Sequence, residues 1–166
     1  MSEMPLFHVA LALGSNLGDR ISYLRRAVEA LKTYMEVEAV SPVYESPAAY
    51  VTDQPVFLNA ALIGATRLSP LALLWQIKAI ENEIGRQPTY HYGPRAIDVD
   101  VIFHGDTVME TPELTLPHPR LAERDFVLQP LTDIAPNWPH PTTGQIIQTL
   151  RNALPEGSLR RWAESL

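Results

Sequence analysis

The chain has 166 residues, of which 46% are hydrophobic and 19% charged, so it is long enough to form one folded domain with its own core. Its net charge of −6 disfavours general nucleic-acid binding, because an acidic surface repels phosphate backbones. The sequence contains no cysteine, which excludes disulfides and thiolate metal sites. The apolar run near the start is too short to span a membrane and lacks a basic leader, so we expect a cytoplasmic protein.

The first part of the chain alternates between strand and helix patterns. FHVALALGSN predicts a strand ending in a Gly-Ser-Asn turn, and apolar residues from Ile21 to Met35 then recur at helical spacing behind Asp19, a candidate N-cap. VEAVSPVYES (37–46) and VFLNAALIGAT (56–66) predict the second and third strands. The segment between them, PAAYVTDQP, contains two prolines and predicts a loop.

The second part of the chain begins with a well-marked helix. Ser69 and Pro70 form a cap and a first helical residue, and the apolar positions continue to Ile84, just before Gly85. RQPTYHYGP then predicts a loop and RAIDVDVIFHG the fourth strand. The proline-rich remainder predicts loop and short helix, with a closing helix over TGQIIQTLRNAL (143–154).

This order of elements predicts an α+β protein. Strand, helix, strand, strand, helix and strand is the ferredoxin-like β-α-β-β-α-β arrangement, with extra C-terminal helices that would cover the second face of the sheet and give α/β/α layers. No repeat or linker divides the chain, so we expect one domain over residues 1–166.

Two aspartates interrupt the fourth strand. Side chains alternate along a strand, so Asp98 and Asp100 are predicted to share one face. The apolar residues are expected on the other face, toward the helices: Ile97, Val99, Val101 and Phe103. Two neighbouring carboxylates repel each other unless a cation lies between them, and Mg²⁺ suits such oxygen ligands. The alternative is that both acids face water on a half-exposed sheet.

Cationic residues are concentrated on either side of this strand. Upstream are Arg86, His91 and Arg95, and downstream are His118, Arg120 and Arg124. In a chain that is acidic overall, such a concentration beside paired acids favours a site for a metal-bound polyphosphate.

Several segments, from about Val9 to Pro136, occur in the order that is typical of one enzyme family. They are ALGSNLGDR, SPVYESPA with DQPVFLNAA, IENEIGR, YGPRAIDVDVIFHG and LPHPRLAERDFVLQPL. Together they resemble the 6-hydroxymethyl-7,8-dihydropterin pyrophosphokinase family of folate biosynthesis. The resemblance implies transfer of the pyrophosphoryl group of ATP to the hydroxymethyl group of the pterin, with AMP as the second product. It also implies two Mg²⁺ ions, held by Asp98 and Asp100.

The resemblance further implies a role for individual residues. The catalytic residues would be Arg86, Arg95, Asp98 and Asp100. The nucleotide would be bound by Leu74, Lys78, Glu81, Arg95, Thr115, His118 and Arg124. The pterin would be bound by Ser46, Pro47, Ala49, Phe57, Asn59, Tyr92, Asp98 and Phe126. Considered singly, Glu81 and Thr115 could equally be surface residues, and Phe126 an ordinary core residue.

Two other functions are compatible with the residues alone. A metal-dependent nucleotidyl transferase also uses paired strand acids, but it would attack the α-phosphorus and release pyrophosphate. A ferredoxin-like RNA-binding module would show aromatic residues and a basic surface, whereas here the predicted open face has aspartates. We therefore expect an enzyme for small-molecule substrates, monomeric and without a nucleic-acid or membrane partner.

Overall fold

The structure is a computed structural model that describes residues 5–47, 55–85, 96–157, 159–162 and 164–166. Its strands are β1 (Phe7–Ser15), β2 (Glu36–Val40), β3 (Tyr44–Ser46), β4 (Phe57–Thr66), β5 (Asp98–His104), β6 (Met109–Glu110), β7 (Thr115–Leu116) and β8 (Arg160–Arg161). Its α-helices are α1 (Arg20–Leu31), α2 (Pro70–Ile84), α3 (Asp125–Ile134) and α4 (Ile147–Asn152), and a short 3-10 helix spans Leu121–Glu123.

The main sheet of the described residues has six antiparallel strands. Its order is β5-β1-β4-β3-β8, and β2 pairs with β4 further along the same edge as β3. The strands β6 and β7 form a separate two-stranded ribbon. With α1 between β1 and β2, and α2 between β4 and β5, this is the ferredoxin-like split arrangement, and the predicted α+β class is confirmed.

Each face of the sheet carries its own hydrophobic core. On one face α1 and α2 pack on the strands, and the buried residues there include Leu11, Leu13, Leu24, Leu31, Leu73 and Ile77. On the other face α3 and α4 pack around Ala10, Ala12, Ala61, Phe103, Leu128 and Ile147. The expected three layers are therefore present, with the C-terminal helices forming the third.

The caps predicted from the sequence fix the start of α1 and both ends of α2. The Asp19 carboxylate accepts a hydrogen bond from the backbone N–H of Ser22 at 3.3 Å, and the Ser69 hydroxyl accepts one from the N–H of Ala72 at 3.3 Å. Gly85 ends α2 at φ 111°, a left-handed conformation that glycine adopts without strain.

The second predicted strand is interrupted. Residues 37–46 were predicted as one strand, but β2 and β3 are separated by residues 41–43. Pro42 has no N–H to donate, so a continuous ladder cannot run through it. Ser41 maintains the connection to the sheet, because its N–H donates to the Ala61 carbonyl at 2.8 Å and its hydroxyl accepts from the Ala61 N–H at 2.8 Å.

Phe103 lies on the opposite face from the one predicted. Val101 pairs with Leu11, and Phe103 pairs with Ala10, so Ile102 is an extra residue on β5. Such a bulge shifts the alternation by one residue, and it turns Phe103 into the core under α3 and α4. Ile97, Val99 and Val101 lie before the bulge and face α1 and α2 as expected.

The helices of the last third differ in length from the prediction. The helix α3 spans Asp125–Ile134, longer than the short helix expected there, whereas α4 covers only Ile147–Asn152 of the predicted 143–154. Gly144 at φ 75° belongs to the preceding turn and prevents an earlier start of α4. None of the helices in the described ranges combines the length and apolar character that a membrane span requires.

One hydrogen bond joins β3 to α3 and provides a test of this packing. The buried Tyr44 hydroxyl donates to the Asp133 carboxylate, and burial together with this hydrogen bond raises the pKa of Tyr44 from about 10 to about 12. We expect Tyr44→Phe to lower the free energy of unfolding by about 1–2 kcal/mol, as measured by urea denaturation at pH 7. An Asp133→Asn control, which keeps an acceptor, should lose less.

The pH dependence of the same variant has a defined sign. Because the folded-state pKa is raised, the contribution of Tyr44 is complete below pH 10 and is lost as the pH rises toward 12. Unfolding curves of Tyr44→Phe should therefore show a weaker alkaline loss of stability than those of the unmodified protein. Equal losses in both would contradict the assigned hydrogen bond.

Candidate active site

Asp98 and Asp100 lie on the edge strand of the main sheet. In the register of β1 and β5, Asp98 is opposite Gly14 and Asp100 is opposite Ala12. Ala12 belongs to the core under α3 and α4, so both half-buried carboxylates lie on that face of the sheet. Residues two apart on a strand are about 6.5 Å apart along its axis, which is close enough for both carboxylates to act on one polyphosphate.

A cleft of about 360 Å³ lies along the outer edge of β5. One wall is α2, and the opposite wall is formed by the β6–β7 ribbon and the segment that follows it. The cleft brings the two aspartates together with five of the seven residues expected at the nucleotide: Leu74, Lys78, Glu81, Thr115 and His118. It also includes the residues between the two strands of the ribbon, 111–114.

Glu81 is a buried carboxylate that binds the backbone of β5. Only 4% of its surface is exposed, and Oε2 accepts a hydrogen bond from the Val99 N–H at 2.9 Å. Val99 lies between Asp98 and Asp100, so this bond fixes the backbone between the two carboxylates. The alternative of a solvated surface residue is therefore wrong for Glu81, whereas Thr115 is half-buried on β7.

His118 is held in one orientation by two hydrogen bonds. Its backbone N–H donates to the Ile102 carbonyl at 3.1 Å, and its ring Nδ1 accepts from the backbone N–H of Arg120 at 3.2 Å. Burial lowers the pKa of His118 to about 4, and the guanidinium of Arg124 contributes in the same direction, while Asp98 opposes it. At neutral pH the ring is uncharged, with its proton on Nε2, so it offers one hydrogen-bond donor.

Arg124 and Phe126 lie at the start of α3. The guanidinium carbon of Arg124 is 5.6 Å from the centroid of the Phe126 ring, a cation–π distance. Phe126 is half-buried against the core under α3 and α4, so it lies on the same side of the sheet as the two aspartates. Both the core interpretation of Phe126 and a ligand contact through its exposed part are compatible with this position.

The residues expected at the pterin form a second group on that face. Asn59 is 5% exposed, and its Nδ2 donates to the Ser46 hydroxyl at 2.7 Å and to the Tyr44 carbonyl at 3.4 Å. These bonds use the amide donors and leave Oδ1 as the acceptor over Gly14, which is opposite Asn59 in the sheet. Phe57 is half-buried two residues earlier on β4.

Gly14 connects the two groups, and sequence reasoning assigned it no role. A Cβ at this position would lie 3.4 Å from the Phe57 ring and 3.5 Å from the Asn59 Oδ1. Gly14 is also opposite Asp98, so Asn59 and Asp98 are two strand spacings apart, about 10 Å. A glycine inside a strand often marks a close approach of a ligand or another group, and that signal could have identified it.

Some expected site residues lie outside the described residues. They are Ala49, Arg86, Tyr92 and Arg95, together with His91 from the basic group. Pro47 is described and lies exposed just after β3.

The aspartate pair has the chemistry of a magnesium site that a ligand completes. Within the described ranges, no group of three or more His, Asp or Glu side chains is arranged to hold a metal ion by itself. The oxygens of Asp98 and Asp100 nevertheless fit Mg²⁺, which commonly takes one or two carboxylates and completes its shell with phosphate oxygens and water. The donor set therefore fits a metal that is bound together with a polyphosphate.

Comparison with known proteins gives one consistent family. The family model described as 7,8-dihydro-6-hydroxymethylpterin-pyrophosphokinase (HPPK) matches residues 10–136. A protein of Aquifex aeolicus named 2-amino-4-hydroxy-6-hydroxymethyldihydropteridine pyrophosphokinase is 43% identical over 92% of this chain and 93% of its own length. The protein of the same name from Bacillus subtilis is 44% identical over 75% of each chain.

Longer proteins match as well. The mitochondrial folate synthesis bifunctional protein of Arabidopsis thaliana is 45% identical over 76% of this chain but only 23% of its own length. The crystal structure of wild-type Plasmodium falciparum HPPK-DHPS with pteroate aligns with a TM-score of 0.75 and 17% identity, over 92% of this chain and 43% of that one. This chain thus spans less than half of these longer relatives, and the structural likeness supports the fold.

The state of His118 can be measured directly. We expect its ring to titrate with a midpoint near pH 4, with the proton on Nε2 at pH 7, because burial disfavours the charged form. Long-range ¹H–¹⁵N NMR spectra would identify the tautomer, and the signal that disappears in His118→Asn is assigned to His118. A midpoint above pH 6, or a proton on Nδ1, would contradict this arrangement.

Proposed function

The chain belongs to the 7,8-dihydro-6-hydroxymethylpterin-pyrophosphokinase family, and we propose that Asp98 and Asp100 are the centre of its reaction. In this reaction the pyrophosphoryl group of ATP is transferred to the hydroxymethyldihydropterin of folate synthesis. One observation carries the proposal. Both carboxylates lie on one face of an edge strand that borders a cleft, and the Glu81–Val99 hydrogen bond fixes the backbone between them.

The aspartates hold the metal ions. Asp98 and Asp100 would hold two Mg²⁺ ions, which when bound neutralise the phosphate chain and orient an in-line attack. Asp98 is opposite Gly14, which is itself opposite Asn59, so Asp98 is the carboxylate closer to the pterin group. Asp100 is opposite Ala12, two residues farther along the strand, and lines the cleft. Asp98 is therefore assigned to both the metal and the substrate.

The nucleotide occupies the cleft at the edge of β5. Leu74 and Thr115 lie on its two walls, and Lys78 provides a positive charge. The His118 Nε2–H donates to a phosphate oxygen, and the guanidinium of Arg124 lies near enough to influence His118. Glu81 acts by positioning β5, since its carboxylate already accepts from Val99. Arg86 and Arg95, which lie outside the described residues, are assigned to the phosphates through the family motifs.

The pterin lies on the sheet beside Gly14. The Asn59 Oδ1 accepts hydrogen bonds from the ring edge, while Ser46 and the Tyr44 carbonyl hold the amide in this orientation. A flat bicycle also needs apolar faces, and Phe57 and Phe126 are half-buried on this side of the sheet. Pro47, and Ala49 and Tyr92 outside the described residues, are assigned to the outer wall of this site.

The separation of the two groups matches a two-substrate reaction. The row from Asn59 through Gly14 to Asp98 covers about 10 Å, which is close to the length of a bicyclic ring with a one-carbon arm. With its ring edge at Asn59, the pterin would direct its hydroxymethyl group toward Asp98 and the phosphates. Holding both reactants in this geometry is the main contribution the protein makes to phosphoryl transfer.

The whole chain is proposed to act as one monomeric domain in the cytoplasm. Both cores pack on the same sheet, and the residues assigned to the site come from strands and helices on each side of it. This packing supports a single domain.

Neutralising either aspartate should stop the reaction but preserve the fold. We expect Asp98→Asn and Asp100→Asn each to lower turnover by at least about a hundredfold, because an amide binds Mg²⁺ poorly. Thermal midpoints should stay equal or rise, since the substitution relieves repulsion. The measurement is the formation of AMP and pterin pyrophosphate from MgATP and the reduced pterin, by chromatography.

A control tests the specificity of this result. Asp106→Asn changes an exposed aspartate in the turn after β5 and should leave turnover within about twofold. Near-normal turnover in either aspartate variant would contradict the metal assignment. Release of free pyrophosphate instead of AMP would indicate nucleotidyl transfer, the alternative function.

Removing the Asn59 amide should weaken pterin binding selectively. We expect Asn59→Ala to raise the Kd of the pterin by about tenfold or more, equivalent to about 1–3 kcal/mol for a buried hydrogen bond left unmade. The Kd of an ATP analogue should change by less than about twofold, and both can be measured by calorimetry. Asn82→Ala, on the exposed side of α2, is the control. Equal losses for both ligands would assign Asn59 a structural role only.

A further inference from the structure

Asn16, just after β1, and Arg20, the first residue of α1, both hold the chain at the start of β4. Asn16 is fully buried, and its Nδ2 donates to the Pro55 carbonyl at 3.1 Å. Arg20 donates through Nη1 to the next carbonyl, that of Val56, at 2.8 Å. Phe57 follows directly in the chain, so these two bonds determine where β4 begins.

Arg20 is in turn covered by an aromatic ring from the last part of the chain. Its guanidinium carbon lies 5.4 Å from the centroid of the Trp162 ring, within cation–π range. Trp162 also packs against the core under α1 and α2. A guanidinium can donate in its plane to a carbonyl while a ring lies on its face, so both contacts can exist at once.

The residues before Trp162 extend the sheet beside the proposed pterin site. Arg160 pairs with Glu45 and Arg161 with Tyr44, and the Trp162 N–H donates to the Val43 carbonyl at 2.8 Å. We call residues 160–162 the clamp segment. It lies beside β3, the strand that carries Ser46, the hydrogen-bond partner of Asn59.

The helix α1 holds the chain just after the clamp segment. Arg25 donates to the Ser165 carbonyl at 3.0 Å and pairs with the Glu164 carboxylate at 3.3 Å, and Leu166 packs against the core under α1 and α2. The clamp segment is thus fixed from both sides, by β3 and by α1. The clamp segment and residues 164–166 lie beyond positions 10–136, which the family model matches.

We propose that Trp162 and Arg20 are positioning residues for the pterin. Trp162 restricts the Arg20 guanidinium, Arg20 fixes the Val56 carbonyl, and this places Phe57 against the ring of the substrate. The proposal rests on the pterin site proposed above. It assigns a function in substrate binding to residues that contact neither the substrate nor the metal.

The location of the clamp segment predicts which ligand it affects. In the order β5-β1-β4-β3-β8, the nucleotide cleft lies at β5 and the clamp segment at the opposite edge. A change at Trp162 therefore acts on the strands that carry Ser46 and Phe57, whereas β3, β4 and β1 all lie between the clamp segment and the strand that borders the nucleotide cleft. Loss of the clamp should weaken binding of the pterin and leave that of ATP unchanged.

The test compares the Kd of both ligands by calorimetry in a set of variants. Trp162→Ala and Arg20→Ala should each raise the Kd of the pterin by about three- to tenfold, as expected for loss of one cation–π contact or one charged hydrogen bond. The double variant should show little more than one single loss, because the two residues act in series. The Kd of an ATP analogue should stay within about twofold in all three.

Conservative and matched variants separate positioning from general damage. Trp162→Phe should restore most of the pterin affinity, because it keeps a ring over Arg20 and removes no hydrogen bond, since the Trp162 Nε1 has no partner in the described part of the structure. Trp162→Leu keeps apolar bulk without a ring and should behave like Trp162→Ala. It is the informative variant if the alanine substitution prevents folding. Trp75→Ala removes an exposed tryptophan from α2 and should not change the Kd of the pterin.

The outcomes distinguish failure of the clamp from failure of the site. An unchanged pterin Kd in Trp162→Leu, or an equal loss for both ligands, overturns the positioning role. If Asn59→Ala weakens pterin binding while the Trp162 variants do not, only the clamp is wrong and the proposed pterin site stands. If Asn59→Ala has no effect, the pterin site itself is wrong, and the clamp proposal is overturned with it.

Discussion

The register of β1 against its two neighbours determines the whole arrangement of the site. It places Gly14 opposite Asn59 on β4 and opposite Asp98 on β5. A slip of one residue in either pairing would move a polar side chain to the face under α1 and α2, where it would replace a core residue. Burying an unpaired polar group there costs roughly 2–7 kcal/mol. The cores on both faces therefore enforce the register that aligns the site.

The edge position of β5 places the aspartates at the border of the cleft and leaves one side of the strand without a neighbouring strand in the described sheet. An edge strand presents N–H groups that would otherwise need water or another strand. Glu81 accepts from one of them, that of Val99, and so closes the edge on the side of α2. The same contact holds the backbone between the two carboxylates. A single buried acid thus protects the sheet edge and supports the site.

The sequence predicted the features that depend on local chemistry. Asp19, Ser69 and Gly85 each have a conformational preference that acts within one helical turn, so the start of α1 and both ends of α2 were predicted well. The apolar spacing that continues to Met35 extends beyond the observed end of α1 at Leu31. The bulge at Ile102 was missed, because an apolar run gives no local signal for the extra residue, and only packing against α3 reveals it. The interruption at Pro42 does have a local signal, because proline has no N–H to donate to a strand ladder.

Within the site, residue types were predictable and their relations were not. The pair Asp98 and Asp100 follows from strand alternation, and the roles of the other residues were expected from the family motifs. Glu81 binds a backbone N–H on a strand that is distant in sequence. The His118 Nδ1 accepts a hydrogen bond because of the geometry of the turn that it belongs to. No local pattern encodes these. Gly14 had only the weak signal of a glycine within a strand.

The neutral state of His118 would resolve an electrostatic conflict in the proposed site. A triphosphate needs positive partners, but a cation beside Asp98 would compete with Mg²⁺ for the carboxylate. Burial and the Arg124 guanidinium keep the ring uncharged in the absence of ligand, so Nε2–H can bind a phosphate oxygen without occupying Asp98. Because Nδ1 already accepts from the Arg120 N–H, the neutral ring keeps one donor for a phosphate and adds no charge that would compete for the aspartates at the proposed metal site.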